Sequence, residues 1–176
     1  MILENVYVTA DPHFGHKNII EYEIRPFSSV EDMEKKLISN WNKVINNKSK
    51  IFVLGDFSFL GKEETTRIIS KLNGRKVLIL GNHDRAHSLM WWYDAGFDEV
   101  YKHPIVLNEY LILSHEPPQY TPPNTPYLYI YGHVHSSEMY KTITRTSCCV
   151  SLERWEYSPV SVKTVIDKVL TFRQEN

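Results

Sequence analysis

Cysteine is nearly absent: the chain has two, Cys148 and Cys149, adjacent in an apolar run. So close a pair frames no disulfide scaffold, and both read as small core hydrophobes, a usage that suits a reducing cytoplasm. Charge of one sign is lacking too. With 20 Lys and Arg against 21 Asp and Glu, the formal net charge is -1, which excludes a nucleic-acid footprint over the whole surface but leaves a local basic groove open. No apolar run reaches the length of a bilayer span, and Ile2-Leu3-Glu4-Asn5-Val6 opens the chain without a basic segment and apolar leader. The expectation is a cytoplasmic protein with no membrane partner. What is present is 176 residues with 42% hydrophobic content, enough for a single domain over 1–176 that buries about two-thirds of its unfolded surface.

Short aliphatic runs, Val6-Tyr7-Val8, Ile51-Phe52-Val53-Leu54 and Val77-Leu78-Ile79-Leu80, read as buried strands. Between the first two, Val30, Met33, Leu37, Trp41 and Val44 recur at three- and four-residue steps, one face of a helix, with Ser29 and Asp32 as a capping box. Further helices are expected from Glu63 to Leu72 and from about His87 to Ala95, the latter ended by Gly96. After Gly96 come apolar runs without intervening helix: Tyr101 to Leu107, Tyr110 to Leu113, Tyr127 to Tyr131 and Ser147 to Leu152. These predict more strands, some antiparallel, before a last helix from about Ser161 to Leu170. The architecture expected is a layered α/β sandwich. The stretch from Glu116 to Pro126 holds five prolines and is excluded from helix or central strand, so a stiff loop at the edge of the site is expected.

The chemistry sits in five islands: Asp11-Pro12-His13, Gly55-Asp56, Gly81-Asn82-His83-Asp84, His115, and Gly132-His133-Val134-His135. Four of the five directly follow predicted strands, where open α/β sheets collect ligands. Asp11 and His13 lie two apart, so an extended chain points both to one side. Asp56 brings two oxygens that can bridge a pair of cations, Asn82 a neutral carbonyl oxygen, and His115, His133 and His135 ring nitrogens. Nitrogen and oxygen donors without thiolate suit Mn²⁺, Fe, Zn²⁺, Co²⁺ or Ni²⁺ better than Ca²⁺ or Cu(I). Each island alone is weak, since Asp-Pro and Gly-Asp often make caps and turns and a lone histidine often serves structure. Their joint order along one chain is the signal.

That order resembles the signature of the calcineurin-like metallophosphoesterase superfamily: Asp-x-His, Gly-Asp, Gly-Asn-His-Asp/Glu, a separate His, and Gly-His-x-His. The opening Asp-Pro-His-Phe-Gly-His-Lys-Asn-Ile-Ile, with Arg25-Pro26-Phe27 after it, resembles a small single-domain subgroup of bacterial and phage members. The resemblance implies an α/β/β/α sandwich of two mixed sheets flanked by helices, with a dinuclear metal site at the C-terminal ends of the strands. It assigns one divalent ion, Mn²⁺ foremost, to Asp11, His13, Asp56 and His135, and a second to Asp56, Asn82, His115 and His133. A hydroxide bridging the two would attack phosphorus, His83 would stabilise the transition state or protonate the leaving group, and Asp84 would orient His83.

The arginines that clamp a dianionic phosphate in the protein serine/threonine phosphatases are missing, because Phe57-Ser58-Phe59 follows Asp56 and Leu80 precedes Gly81. A phosphodiester is therefore favoured over a monoester, unless Arg25 or Arg85 restores the contact. His16 stands evenly between phosphate contact and backbone hydrogen bonding. The expected partner is a small phosphorylated substrate such as a cyclic nucleotide or short oligonucleotide. A phosphomonoesterase or nucleotide pyrophosphohydrolase of the same fold is the alternative. A non-catalytic scaffold is disfavoured because His83 and all seven ligand positions are intact. Oligomeric state is not legible.

Overall fold

The computed structural model describes residues 3–122 and 124–175. Its first half repeats strand and helix. The order is β1 (Val6–Thr9), α1 (Asn18–Tyr22), α2 (Val30–Val44), β2 (Lys50–Val53), α3 (Lys62–Ile69), β3 (Arg75–Ile79), α4 (Leu89–Ala95) and β4 (Glu99–Tyr101). The second half adds β5 (Ile105–Leu107), β6 (Leu111–Leu113), β7 (Leu128–Tyr131), β8 (Ser147–Cys149), β9 (Val160–Ser161) and α5 (Val162–Glu175). One sheet runs β4-β3-β2-β1-β9, parallel except for β9, and the other runs β5-β6-β7-β8, with only the β5–β6 pair antiparallel.

Side-chain alternation along the strands builds two cores. Tyr7, Ile51, Val53, Leu78 and Leu80 face the helices, where they meet Met33, Leu37 and Trp41 of α2, Ile68 and Ile69 of α3, and Trp92 of α4. Val6, Val8, Phe52, Leu54, Val77 and Ile79 face the other way, against Leu111, Leu113, Leu128, Ile130 and Cys148 of the second sheet and Val162, Val165 and Val169 of α5. Burial on both faces explains why these strands read as continuous apolar runs. The two sheets with helices on their flanks are the expected sandwich, and Ala10 pairs with Ser151 beyond the strand ends, tying the sheets together where the ligand islands lie.

Several boundaries move. The predicted strand from Tyr101 to Leu107 is two strands in different sheets, broken at Lys102-His103-Pro104, where proline cannot donate to a ladder. The strand from Ser147 ends at Cys149, and a 3₁₀ turn takes Leu152–Arg154. The last helix runs on to Glu175. The capping box closes one residue early: Ser29 Oγ accepts from Asp32 N, but Asp32 Oδ2 accepts from Ser28 N at 3.0 Å. The proline-rich segment lines its own open cavity of about 740 Å³ with Met139, Tyr140 and Phe172, and none of its described residues lines the cavity at the ligand islands. Pro123 lies outside the described residues. Among the described residues no helix is long and apolar enough to cross a membrane.

Candidate metal centre

All seven expected ligands stand just past the C-terminal ends of β1, β2, β3, β6 and β7. Asp11 and His13 do not reach their site through an extended chain. Both adopt left-handed backbone, with φ of 58° and 52°, and so do Asp56 (53°), His133 (71°) and His135 (46°). Each such residue costs on the order of 1–3 kcal/mol unless its surroundings hold it, and such strain gathers at functional sites. Two glycines make the approach possible. A Cβ on Gly81 would stand 2.1 Å from Asp56 Oδ1, and one on Gly55, itself at φ 84°, would stand 2.3 Å from Nδ1 of His115.

Among the described residues three groups of donor atoms converge. Two are built from expected ligands, first Asp11, His13 and His135, and second Asp56, His115 and His133; the third, Glu23, His135 and Glu153, shares His135. Asp56 Oδ2 joins the first two, 3.6 Å from Nε2 of His13 and 3.5 Å from Nε2 of His115. One oxygen thus stands between these two groups, while Oδ1 accepts from His83 N at 3.1 Å. In the second group, Nδ1–H of His115 donates to the Leu54 carbonyl at 2.8 Å, so Nε2 presents a lone pair. That lone pair faces Asn82 Oδ1 at 2.9 Å and Nδ1 of His133 at 3.1 Å. His115 Nε2 and Asn82 Oδ1, two acceptors at 2.9 Å, repel unless a cation lies beside them, whereas Nδ1 of His133 donates or accepts according to its tautomer. In the first group, His13 Nε2 and Asp11 Oδ1 are buried without a hydrogen-bond partner among the described residues, a costly state that coordination relieves. Ligands about 2.0–2.2 Å from one divalent ion stand about 2.9–3.6 Å apart, the range of the 2.9, 3.1, 3.5 and 3.6 Å separations above, and the donors of the first group lie within 4.8 Å of one another. The donor set fits a pair of divalent cations.

Protonation follows from burial. Desolvation pushes Asp11 up to about 7, against the pull of His135 and Ser151, and raises Asp56 as well. Burial holds His13, His115 and His133 below the ordinary histidine value, the last also because His115 stands beside it. In His135 burial is outweighed by its hydrogen bond to Glu153 and the charge of Asp11, and the ring ends above its ordinary value. A ligand with a raised pKa is protonated below it and must lose that proton to bind metal, whereas the lowered histidines are already neutral. Metal affinity is therefore expected to fall as pH drops below about 7, by up to about tenfold per unit for each proton released. Mn²⁺ calorimetry on chelator-treated protein, in buffers of different ionisation enthalpy, checks this. Affinity independent of pH between about 6 and 8 would contradict it.

Behind the ligands lies a layer that the sequence did not disclose. Glu153 accepts from Nδ1–H of His135 at 3.1 Å and from Arg25, whose Nε and Nη2 lie 2.9 and 2.6 Å from Glu153 Oε1. The same guanidinium donates to the Asp11 and Pro12 carbonyls at 2.8 and 3.0 Å. Arg25 is buried, so it ties the Asp11–His13 turn to His135 and is not a phosphate clamp. Arg85, exposed, pairs with Glu116 at 2.8 Å. Asp84 departs from the orienting role expected of it. Its carboxylate accepts from the backbone N–H groups of Asp56, Phe57 and Gly81 at 2.7, 3.0 and 2.9 Å, pinning the second island to the third, with neither oxygen on the His83 ring. The imidazole of His83, its side chain 48% exposed, stands over the site with Nε2 3.9 Å from Asp56 Oδ2.

A cavity of about 480 Å³ opens over the two groups, lined also by His16, Ile19, Tyr22, Glu23, Phe59 and His83. The family model for calcineurin-like phosphoesterases matches residues 5–155. An uncharacterized protein of Methanocaldococcus jannaschii is 36% identical over 174 residues, covering 94% of this chain and 92% of its own length. The gene 66 protein of Mycobacterium phage L5 is 36% identical over 91 residues, 49% of this chain and 43% of that one. A crystal structure of a protein of unknown function from Aquifex aeolicus superposes with a TM-score of 0.69 at 29% identity, over 93% of this chain and 98% of the other. A family match that begins ahead of Asp11 and ends beyond Glu153 takes in every expected ligand and its supports, and the chain belongs to the calcineurin-like phosphoesterase family.

Proposed function

We propose that this protein is a dinuclear metal-dependent phosphodiesterase for small phosphodiesters, with Mn²⁺ as its metal. The observation that carries the diester preference is the lining of the cavity: among the described residues it contains no lysine or arginine, and apart from the expected ligands and His83 it offers Ile19, Tyr22, Phe59, His16 and Glu23. Arg25 is committed beneath the expected ligands and Arg85 to Glu116. A monoester carries nearly two negative charges at neutral pH and a diester one, so a cavity without a guanidinium favours the diester. Its aromatic wall favours a substrate with an apolar or aromatic group beside the phosphate.

Asp11, His13, Asp56, Asn82, His115, His133 and His135 would hold the two cations, which would supply charge neutralisation at the phosphoryl oxygens and a water of lowered pKa. The chain's own residues do the rest. Asp56 and Asp84 fix the floor through backbone hydrogen bonds, and the His83 imidazole, on the open side, hands a proton to the leaving oxygen. Phe59 packs against it, ring centroids 4.8 Å apart, and limits where the imidazole can swing. Mn²⁺-dependent hydrolysis of bis(p-nitrophenyl) phosphate is expected to exceed that of p-nitrophenyl phosphate in kcat/KM. A monoester preference under the same conditions would instead make the protein a phosphatase.

A further inference from the structure

His16 is none of the seven ligands, yet its Nδ1 lies 3.1 Å from Nδ1 of His13. Two imidazole nitrogens at that distance share a single proton, one donating and the other accepting. The far side of the His13 ring decides which. There Nε2 is buried without a hydrogen-bond partner among the described residues and stands 3.6 Å from Asp56 Oδ2, beside Asp11 and His135. A proton on it would be an unsatisfied buried donor, whereas a lone pair is what a cation takes. Neutral His13 therefore carries its proton on Nδ1, and the acceptor is His16.

We infer that His16 is a positioning residue that sets the tautomer and ring orientation of the ligand His13. The inference rests on the dinuclear reading above. Outer partners of metal-bound histidines are usually carboxylates, carbonyls or water. This chain uses a carboxylate for His135 and a carbonyl for His115, and for His13 a second imidazole. Phe59 holds the pair in plane: its ring lies 4.2 Å and 17° from that of His16 and 5.1 Å and 20° from that of His13, so one aromatic ring stacks against both.

Two substitutions separate hydrogen bonding from stacking. His16→Phe keeps an aromatic ring for Phe59 but removes the acceptor, while His16→Asn sets a carbonyl oxygen close to where Nδ1 stood. In Mn²⁺ calorimetry of chelator-treated protein, His16→Phe is expected to weaken one of the two sites by about 10–100-fold and spare the other. His16→Asn should bind as the parent does. Parental binding by His16→Phe, or an equal loss in His16→Asn, overturns the inference. Ring ¹⁵N spectra of the metal-free parent test it without any variant: His13 should be protonated on Nδ1, and protonation on Nε2 overturns it. A parent that binds no Mn²⁺ would sink the dinuclear reading alone, because the ring spectrum still reports the tautomer.

Discussion

Asp56→Asn is expected to release both cations and to lower hydrolysis by about 10³-fold or more. A metal pair supplies several kcal/mol of charge stabilisation, and each 1.36 kcal/mol is tenfold in rate. Asparagine is the informative replacement because it keeps the shape and tolerates left-handed backbone, which Asp56 adopts at φ 53°. Its amide oxygen can still accept from His83 N, as Asp56 Oδ1 does at 3.1 Å. What it loses is the negative oxygen between the two groups, 3.6 Å from His13 Nε2 and 3.5 Å from His115 Nε2. Metal analysis after gel filtration should show both ions gone, while the metal-free melting temperature holds or rises, since a desolvated carboxylate has been neutralised. Retention of one full equivalent would show that Asp56 serves a single ion and does not bridge.

How much of this was legible in the residues depends on whether a feature is local. Ile51–Leu54 and Val77–Leu80 read as strands because both their faces are covered, and α2 read as a helix from its apolar spacing. The pairing of β6, β7 and β8 in parallel was hidden, since an apolar run of three or four residues carries no mark of strand direction. Ligand islands were legible because the residue types themselves are the chemistry. Their backbone was not: Asp-x-His suggests extended chain by spacing, and only the folded turn shows both residues left-handed. The pairing of Arg25, singled out only as a possible phosphate contact, with Glu153 stayed hidden for a plainer reason. They lie 128 residues apart, each an ordinary surface type in isolation, and their burial as a pair exists only once the sheets have met. Asp84 was expected to orient His83 because the two are adjacent in sequence, while the fold turns its carboxylate onto three backbone N–H groups.

That reassignment sharpens the expectation for His83→Asn. Because Asp84 anchors backbone and His83 holds Asp56 through its own backbone N–H, replacing the imidazole removes only the ring that overlooks the site. Both cations should stay bound, and turnover should fall by about 10²–10⁴-fold, the usual worth of a positioned acid or base. Leaving-group chemistry then distinguishes two ways in which the ring could act. If His83 protonates the departing oxygen, an alkyl diester, whose alkoxide leaves poorly, loses far more than bis(p-nitrophenyl) phosphate, whose phenolate needs little help. If the ring instead stabilises charge on the phosphoryl oxygens, both substrates lose by similar factors. Near-parental rates on both, with metals in place, would remove His83 from the chemistry and leave the bound ions and the ligand framework as its whole source.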